Sequence, residues 1–140
     1  MSRFYNYFFR IIFICFVFGL LVSFKSYSMT NDSIIEAVNN YRINNNLEPL
    51  TYNNDMQFVS DVRADESISV WSHTRPDGTP YYTINDLIYG ENLAYGYSSE
   101  SELMTAWINS ETHNRNLLEP RFKTVCVGIA GDHVALEFGM

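Results

Sequence analysis

The segment VCVGIAGDHVALEF, residues 125–138, decides the fold class of this chain. Apolar side chains alternate with others from Val125 to Ile129 and again from Val134 to Phe138, and Gly131-Asp132 separates the two runs. Such alternation on both sides of a Gly-Asp pair predicts an antiparallel hairpin. Cys126 falls inside the first run, so it is predicted to be a strand residue and not a redox centre.

Helical patterns precede the hairpin. Two capping boxes, Ser33-x-x-Glu36 and Ser99-x-x-Glu102, open runs of apolar residues at helical spacing. The predicted elements are a helix over 33–45, a short strand over 50–52, a second helix from 54 or 55 to about 69–72, and a third helix from 99 to about 113. Residues 74–98 are rich in Pro and Gly and are predicted to form a long loop. Helices followed by an antiparallel hairpin give an α+β fold.

The first 28 residues have the anatomy of a secretory signal peptide. Arg3 and Arg10 precede an unbroken apolar run of twelve residues, 11–22, and Ser26 and Ser28 suit a cleavage that leaves Met29 first. An uncleaved anchor is the alternative, although the run is shorter than the ~20 apolar residues of a spanning helix. The expected organisation is a leader over 1–28 and one exported domain over 29–140, secreted or periplasmic, with no stable membrane anchor once the leader is removed.

The predicted domain is strongly acidic. Residues 29–140 contain six basic and sixteen acidic side chains, a formal charge of −10. A surface of this sign repels phosphate backbones, so nucleic acid is not an expected partner. Cys126 is the one cysteine of this segment, so no intramolecular disulfide forms there and the fold must depend on its apolar core.

His73 and Glu91 lie beside turn sequences. His73 precedes Pro76-Asp77-Gly78, which suits a tight turn, and its ring either faces a cleft or fixes the turn by hydrogen bonds to backbone carbonyls. Glu91 follows Gly90, and its carboxylate either caps the N–H groups of a short helix or coordinates a cation. The residues alone leave both alternatives open.

Ser110 and His113 are three residues apart in the third predicted helix and therefore share a face. A Ser-His pair suggests a nucleophile and its base. Fixed helical neighbours rarely reach the in-line geometry of attack, and no third orienting group is evident, so this pair is not favoured as a catalytic site.

His73, Glu91 and His113 together have the chemistry of a site for a divalent metal such as zinc, with two imidazoles, one carboxylate and an open position. They are spread over 41 positions, and the compact pattern of two His flanking a Glu on one helix is absent. Spacing alone therefore does not single out a metal site.

Several ordered motifs resemble those of the CAP superfamily, also called the SCP domain, in its bacterial branch. The motifs are HTRPDG (73–78), GENLAYG (90–96), AWINSETH (106–113), NLL (116–118), PRF (120–122), VGI (127–129) and EFG (137–139). The resemblance covers nearly all of residues 32–139. It implies a three-layer α-β-α sandwich with a central antiparallel sheet and a large cleft. In that family two His and two Glu line the cleft, and some members bind a divalent cation there.

The resemblance also implies which residues face the cleft. His73 and Glu91 match the first His and the first Glu of the family. The position of the second Glu is Ser110, with Glu111 beside it, and His113 is the candidate for the place of the second His, whose own signature is absent. The expected cleft set is His73, Glu91, Ser110, Glu111 and His113. The Pro-Gly of the bacterial Ser-Pro-Gly-His is missing here, so the third helix is expected to run on.

Three functions are compatible with these residues. The first is an exported module that binds a ligand or a metal in a polar His/Glu cleft, with a small molecule, a lipid or a protein as partner. The second is a metal-dependent, protease-like hydrolase acting outside the cytoplasm, in which the metal activates water. The third is a host- or envelope-facing interaction protein whose cleft has no chemistry. A fold by itself does not decide among them.

Overall fold

The computed structural model describes residues 28–140. The predicted leader lies outside the described residues, except for Ser28, so its cleavage stays a prediction. Within residues 28–140, every helix is too short or too polar to cross a bilayer.

The described part of the chain contains four α-helices, two 3-10 turns and four strands. They are α1 (Asn31–Asn44), β1 (Thr51–Tyr52), a 3-10 turn (Asn54–Met56), α2 (Gln57–Ser69), a second 3-10 turn (Tyr81–Thr83), β2 (Gly90–Tyr95), α3 (Glu100–Asn109), α4 (Glu111–Leu117), β3 (Thr124–Ala130) and β4 (His133–Gly139). The first two predicted helices, the short strand and the hairpin are confirmed, with small differences at their ends.

The first helix begins earlier than its predicted capping box. Thr30 is the N-cap: its side chain accepts from the Ser33 amide at 3.1 Å, and the Ser33 hydroxyl accepts from the Thr30 amide at 2.9 Å. Ser33 therefore serves as the third helical residue of the box and not as its cap. The box lies three residues upstream of the predicted one.

The prediction that residues 74–98 form one long loop is wrong, because Gly90–Tyr95 is a strand. Its first five residues are all buried, among them the polar Glu91 and Asn92. Glu91 and Asn92 are adjacent and therefore lie on opposite faces of β2, so both buried faces carry a polar residue. The period-two signal of a strand is consequently missing from the sequence.

The third helix does not run on as expected. Ser110 is extended, with φ −95° and ψ 117°, so α3 ends at Asn109 and α4 begins at Glu111. The chain re-enters a helix when the Asn114 amide donates to the Ser110 carbonyl at 2.8 Å. Asn92 donates to the His113 carbonyl at 3.1 Å and fixes the new helix against β2. Helix α4 is therefore positioned by the sheet and not by α3 alone.

The four strands form one sheet in the order β1-β3-β4-β2. The three long strands are antiparallel, as predicted, whereas β1 pairs parallel with β3 and makes the sheet mixed. Helix α2 covers one face, and α1, α3 and α4 cover the other. The predicted three-layer α-β-α architecture is confirmed, and β2 is the edge strand next to α4.

The two faces of the sheet differ in character. The face toward α1, α3 and α4 includes Val127 and Leu136 and packs with Trp107 of α3 in the apolar core. The face toward α2 carries small and polar residues. A Cβ added to Gly128 on this face would lie 2.0 Å from the Ser60 carbonyl oxygen, so the α2 backbone packs directly on β3. This close approach brings the polar side chains of α2 to the sheet.

Candidate functional site

Glu91 on β2 is buried between α2 and the sheet, and its carboxylate is held from two directions. Arg63 on α2 donates from Nε to Oε2 at 2.6 Å and from a terminal nitrogen to Oε1 at 3.2 Å. His73 donates from Nδ1 to Oε1 at 2.7 Å. Burial alone would raise the pKa of Glu91, but the hydrogen bonds from His73 and Arg63 lower it below its usual value. Glu91 is therefore an ionised, fully engaged carboxylate.

Arg63 extends this network to the segment that follows α2. It donates to Glu66 at 2.7 Å and to the Ser72 carbonyl at 2.8 Å, and Arg75 donates to the same Glu66 at 2.7 Å. These bonds fix the chain on either side of His73. The His73 side chain stays 55% exposed, with one ring nitrogen on Glu91 and the rest of the ring toward solvent.

Glu137 on β4 lies directly opposite Glu91 in the sheet. It is completely buried, and neither carboxylate oxygen has a hydrogen-bond partner in the described part of the chain. Burial, and then the charge of Glu91, raise the pKa of Glu137 well above its usual value. A proton on Glu137 turns the contact of two carboxyl groups into an O–H···O⁻ hydrogen bond to Glu91, so the pair carries one proton.

A cleft of about 570 Å³ runs along the free edge of β2. Its walls are mostly aromatic and apolar, and its polar side chains come from the α3–α4 junction. The residues that characterise it are Trp71, Tyr95, Tyr97, Trp107, Ser110 and His113. Trp107 is anchored there, because its Nε1 donates to the Leu93 carbonyl on the edge of β2 at 3.2 Å.

The five predicted cleft residues are thus divided between two places. Ser110 and His113 line the cleft. The exposed His73 and the buried Glu91 form a hydrogen-bonded pair outside its lining, and Glu111 is exposed on α4. Burial, and to a smaller extent the charge of nearby His73, lower the pKa of His113, which is therefore neutral at pH 7.

The carboxylate of the predicted metal set is not free in this geometry, so the metal site stays a prediction. Both oxygens of Glu91 already accept hydrogen bonds from Arg63 and His73, and the His73 Nδ1 is used in the same contact. Across residues 28–140, no group of three or more His, Cys, Asp or Glu side chains is placed to hold a metal ion. A cation on Glu91 would first have to displace one of these donors.

Ser110 and His113 form no hydrogen bond within the described region, where the Ser110 hydroxyl lies 3.4 Å from that of Thr112. A different Ser-His contact is present: the Ser67 hydroxyl is 2.8 Å from His133 Nδ1. Ser67 is buried and also donates to the Ala64 carbonyl at 2.7 Å. This contact ties α2 to the start of β4 and offers no accessible nucleophile.

The cleft has an aromatic rim. Tyr95 stacks on His133 with ring centroids 5.3 Å apart and planes at 17°, and Trp71 meets Tyr95 nearly at right angles at 4.7 Å. Trp71 and Tyr95 are each about half exposed. Sequence patterns did not reveal this rim, because its members come from the end of α2, from β2 and from β4.

Comparisons with known proteins identify the family and support the α-β-α fold. The family model described as "CAP: Cysteine-rich secretory protein family" matches residues 35–134. The protein YkwD of Bacillus subtilis is 28% identical over 112 residues, which cover 74% of this chain and 44% of YkwD.

Among solved structures, an extracellular SCP-domain protein of Bacillus anthracis has a TM-score of 0.70 at 25% identity and covers 78% of this chain and 39% of its own. An outer surface protein of Borrelia burgdorferi has a TM-score of 0.66 at 18% identity, over 77% of this chain and 90% of its own, and shows the fold alone. The chain spans less than half the length of the two Bacillus relatives.

Proposed function

The chain belongs to the CAP, or cysteine-rich secretory protein, family, and from that premise we propose that it is an exported module that binds a small ligand in the cleft beside β2. Relatives described as an extracellular protein and an outer surface protein support export, as does the predicted leader. Mass spectrometry of the exported protein tests this part, with Met29 as the expected first residue.

The aromatic cleft carries the proposal of binding. A concave site of about 570 Å³ with mostly apolar walls and a few polar groups is typical of small-molecule sites. His113, neutral at pH 7, offers one hydrogen-bond donor and one acceptor there, and Ser110 adds a hydroxyl. The acidic chain repels anions, so we expect an uncharged, largely apolar ligand with one polar end.

The hydrolase hypothesis has less support. In the described region, Ser67 contacts His133 but is itself buried, and Ser110 forms no hydrogen bond to His113. Glu91, the carboxylate predicted to ligate a metal, is held by Arg63 and His73. We therefore expect no peptidase or esterase activity, with or without added zinc. Hydrolysis that disappears in His113→Ala would reverse the order of the two hypotheses.

The two tryptophans provide the assay for binding. Trp71 and Trp107 are the only tryptophans of the chain and both line the cleft, so their fluorescence reports on its occupancy. The uncharged apolar dye N-phenyl-1-naphthylamine is expected to quench them saturably while its own emission rises through energy transfer. Screened ligands would then be ranked by displacement of this dye.

A blocking variant makes the assay specific. Ala106 lines the cleft, and Ala106→Phe is expected to abolish dye binding by filling it. Asn109→Phe, on the exposed side of the same helix, serves as the matched control and should bind as wild type. Equal dye binding by both variants would show that the cleft is not the site.

A further inference from the structure

A second pocket, of about 420 Å³, lies in the segment between the second 3-10 turn and β2, apart from the cleft. Tyr81, Tyr82, Tyr89, Ile88 and Asp86 line it. We propose that this tyrosine pocket binds a quaternary ammonium group. The proposal is independent of the ligand in the cleft, because the two linings share no residue.

The aromatic walls of the tyrosine pocket are arranged as a corner. The rings of Tyr81 and Tyr82 have centroids 5.4 Å apart and planes at 84°, so they enclose the space from two directions. Tyr89 lines the same pocket, and Tyr82 and Tyr89 are each 52% exposed. The electron-rich face of an aromatic ring attracts a cation within about 6 Å of its centroid, and several such rings form the cages that take methylated ammonium groups.

Contacts with His73 hold Tyr81, the inner wall of the pocket, in place. Tyr81 is half-buried, its amide donates to the His73 carbonyl at 3.0 Å, and its ring lies 6.0 Å from the His73 ring at 61°. His73 itself is fixed on Glu91. The inner wall is therefore preorganised before any ligand arrives, which lowers the cost of binding.

Charge favours a cation in this pocket. Asp86 is exposed there, and none of the salt bridges among residues 28–140 uses its carboxylate. The pocket lining contains no basic side chain, while Arg63, Arg75 and Arg121 are paired with carboxylates elsewhere. The acidic domain adds an attractive field of the same sign.

The chemistry of the walls selects a methylated ammonium over a primary one. A primary ammonium has three N–H donors and loses strong hydration unless acceptors replace the water. The tyrosine pocket offers one carboxylate, phenol oxygens and aromatic faces, and the aromatic faces that make up most of its walls do not replace the water of a primary ammonium. A quaternary ammonium has no donors and presents apolar methyl groups, so the same walls suit it.

The test compares choline with 3,3-dimethyl-1-butanol, its uncharged analogue of the same shape, on the purified full-length chain. NMR titration is expected to show saturable shifts of the Tyr82 and Tyr89 ring signals with choline, and at least several-fold weaker binding of the neutral analogue. Equal binding of the two compounds, or no saturable shift with choline, would overturn the proposal.

Variants locate the site. Tyr82→Leu and Tyr89→Leu keep apolar volume but remove a π face, and each is expected to weaken choline binding by about 2- to 30-fold. Asp86→Asn should weaken choline binding and leave the neutral analogue unchanged. These side chains are exposed, so unchanged thermal midpoints are expected. Choline binding lost in Trp71→Leu but kept in the two tyrosine variants would place the cation in the cleft and refute the assignment.

Discussion

Replacing Glu137 with Gln is expected to remove a pH dependence of stability from the wild-type protein. Glu137 is completely buried, and its pKa is raised by burial and by the charge of Glu91. In the folded state Glu137 therefore keeps its proton at pH values where the unfolded chain has lost it, since the ordinary pKa of the side chain is near 4.5. Gln keeps nearly the same shape, and its amide donates to Glu91 as the protonated carboxyl group does, without titrating.

The sign and size of the effect follow from proton linkage. Because the folded state binds the extra proton, the free energy of unfolding falls as pH rises from the unfolded to the folded pKa of Glu137. The slope for one proton is about 1.4 kcal/mol per pH unit. His113 acts in the opposite direction, since its lowered pKa makes stability rise with pH until its unfolded pKa is passed. Subtracting the Glu137→Gln curve from the wild-type curve cancels this contribution.

Urea denaturation at pH 6, 7 and 8 and constant ionic strength measures the difference. We expect the free energy of unfolding of the variant to gain on that of wild type as pH rises, by up to about 1.4 kcal/mol for each pH unit below the folded pKa of Glu137. Glu119→Gln is the control: Arg121 lowers the pKa of Glu119 to about 2, so its titration is complete far below pH 6 and its difference curve should be flat. If the difference curve for Glu137→Gln is also flat, the inference that Glu91 and Glu137 together hold one proton is refuted.

Three further predictions test the buried ion pair, the packing of α2 on the sheet and the metal site. Arg63→Met leaves a buried carboxylate without its cation and should cost about 3–5 kcal/mol in urea denaturation. Arg121→Met at the surface should cost far less, because solvent screens its ion pair, and equal losses would contradict the buried network. Gly128→Ala should lower the free energy of unfolding by about 1–3 kcal/mol, because the new methyl group meets the α2 backbone. A melting midpoint equal to that of wild type would show that α2 does not pack so closely on β3. Calorimetric titration with zinc should give no heat beyond the buffer control, and a saturable heat lost in both His73→Ala and His113→Ala would instead establish the metal site.

The parts of the fold that were predicted correctly are those whose side chains have a regular period. The hairpin of β3 and β4 is covered on both faces, but large apolar residues on one face alternate with small or polar ones on the other, and α1 and α2 each have one apolar face. Strand β2 was missed because polar residues occupy both of its faces, Glu91 on one and Asn92 on the other. The break at Ser110 was missed because it depends on contacts of α4 with the sheet, such as the bond from Asn92 to the His113 carbonyl.

The candidate site was predicted only in part, for a related reason. Motifs single out His73 and Glu91, and the structure joins them by a 2.7 Å hydrogen bond. The partner that neutralises Glu91 is Arg63, 28 positions earlier on α2, and the partner that carries the shared proton is Glu137, across the sheet. One signal for Glu137 was present: a carboxylate between Leu136 and Phe138 must point to the opposite face of the sheet from the apolar core.

The separation of the buried Glu91 network from the cleft residues determines which variants can test function. Glu91 connects α2, the sheet and the His73 loop, so a change at Glu91 alters folding and binding together and its effect on a ligand cannot be assigned. Ser110 and His113 face the cleft without belonging to the carboxylate network. His113→Ala and Ser110→Ala should therefore weaken dye or ligand binding while leaving the free energy of unfolding within about 1 kcal/mol of wild type. If both variants instead unfolded as readily as Arg63→Met, the cleft residues would have to be assigned to the fold and the binding proposal would lose its polar contacts.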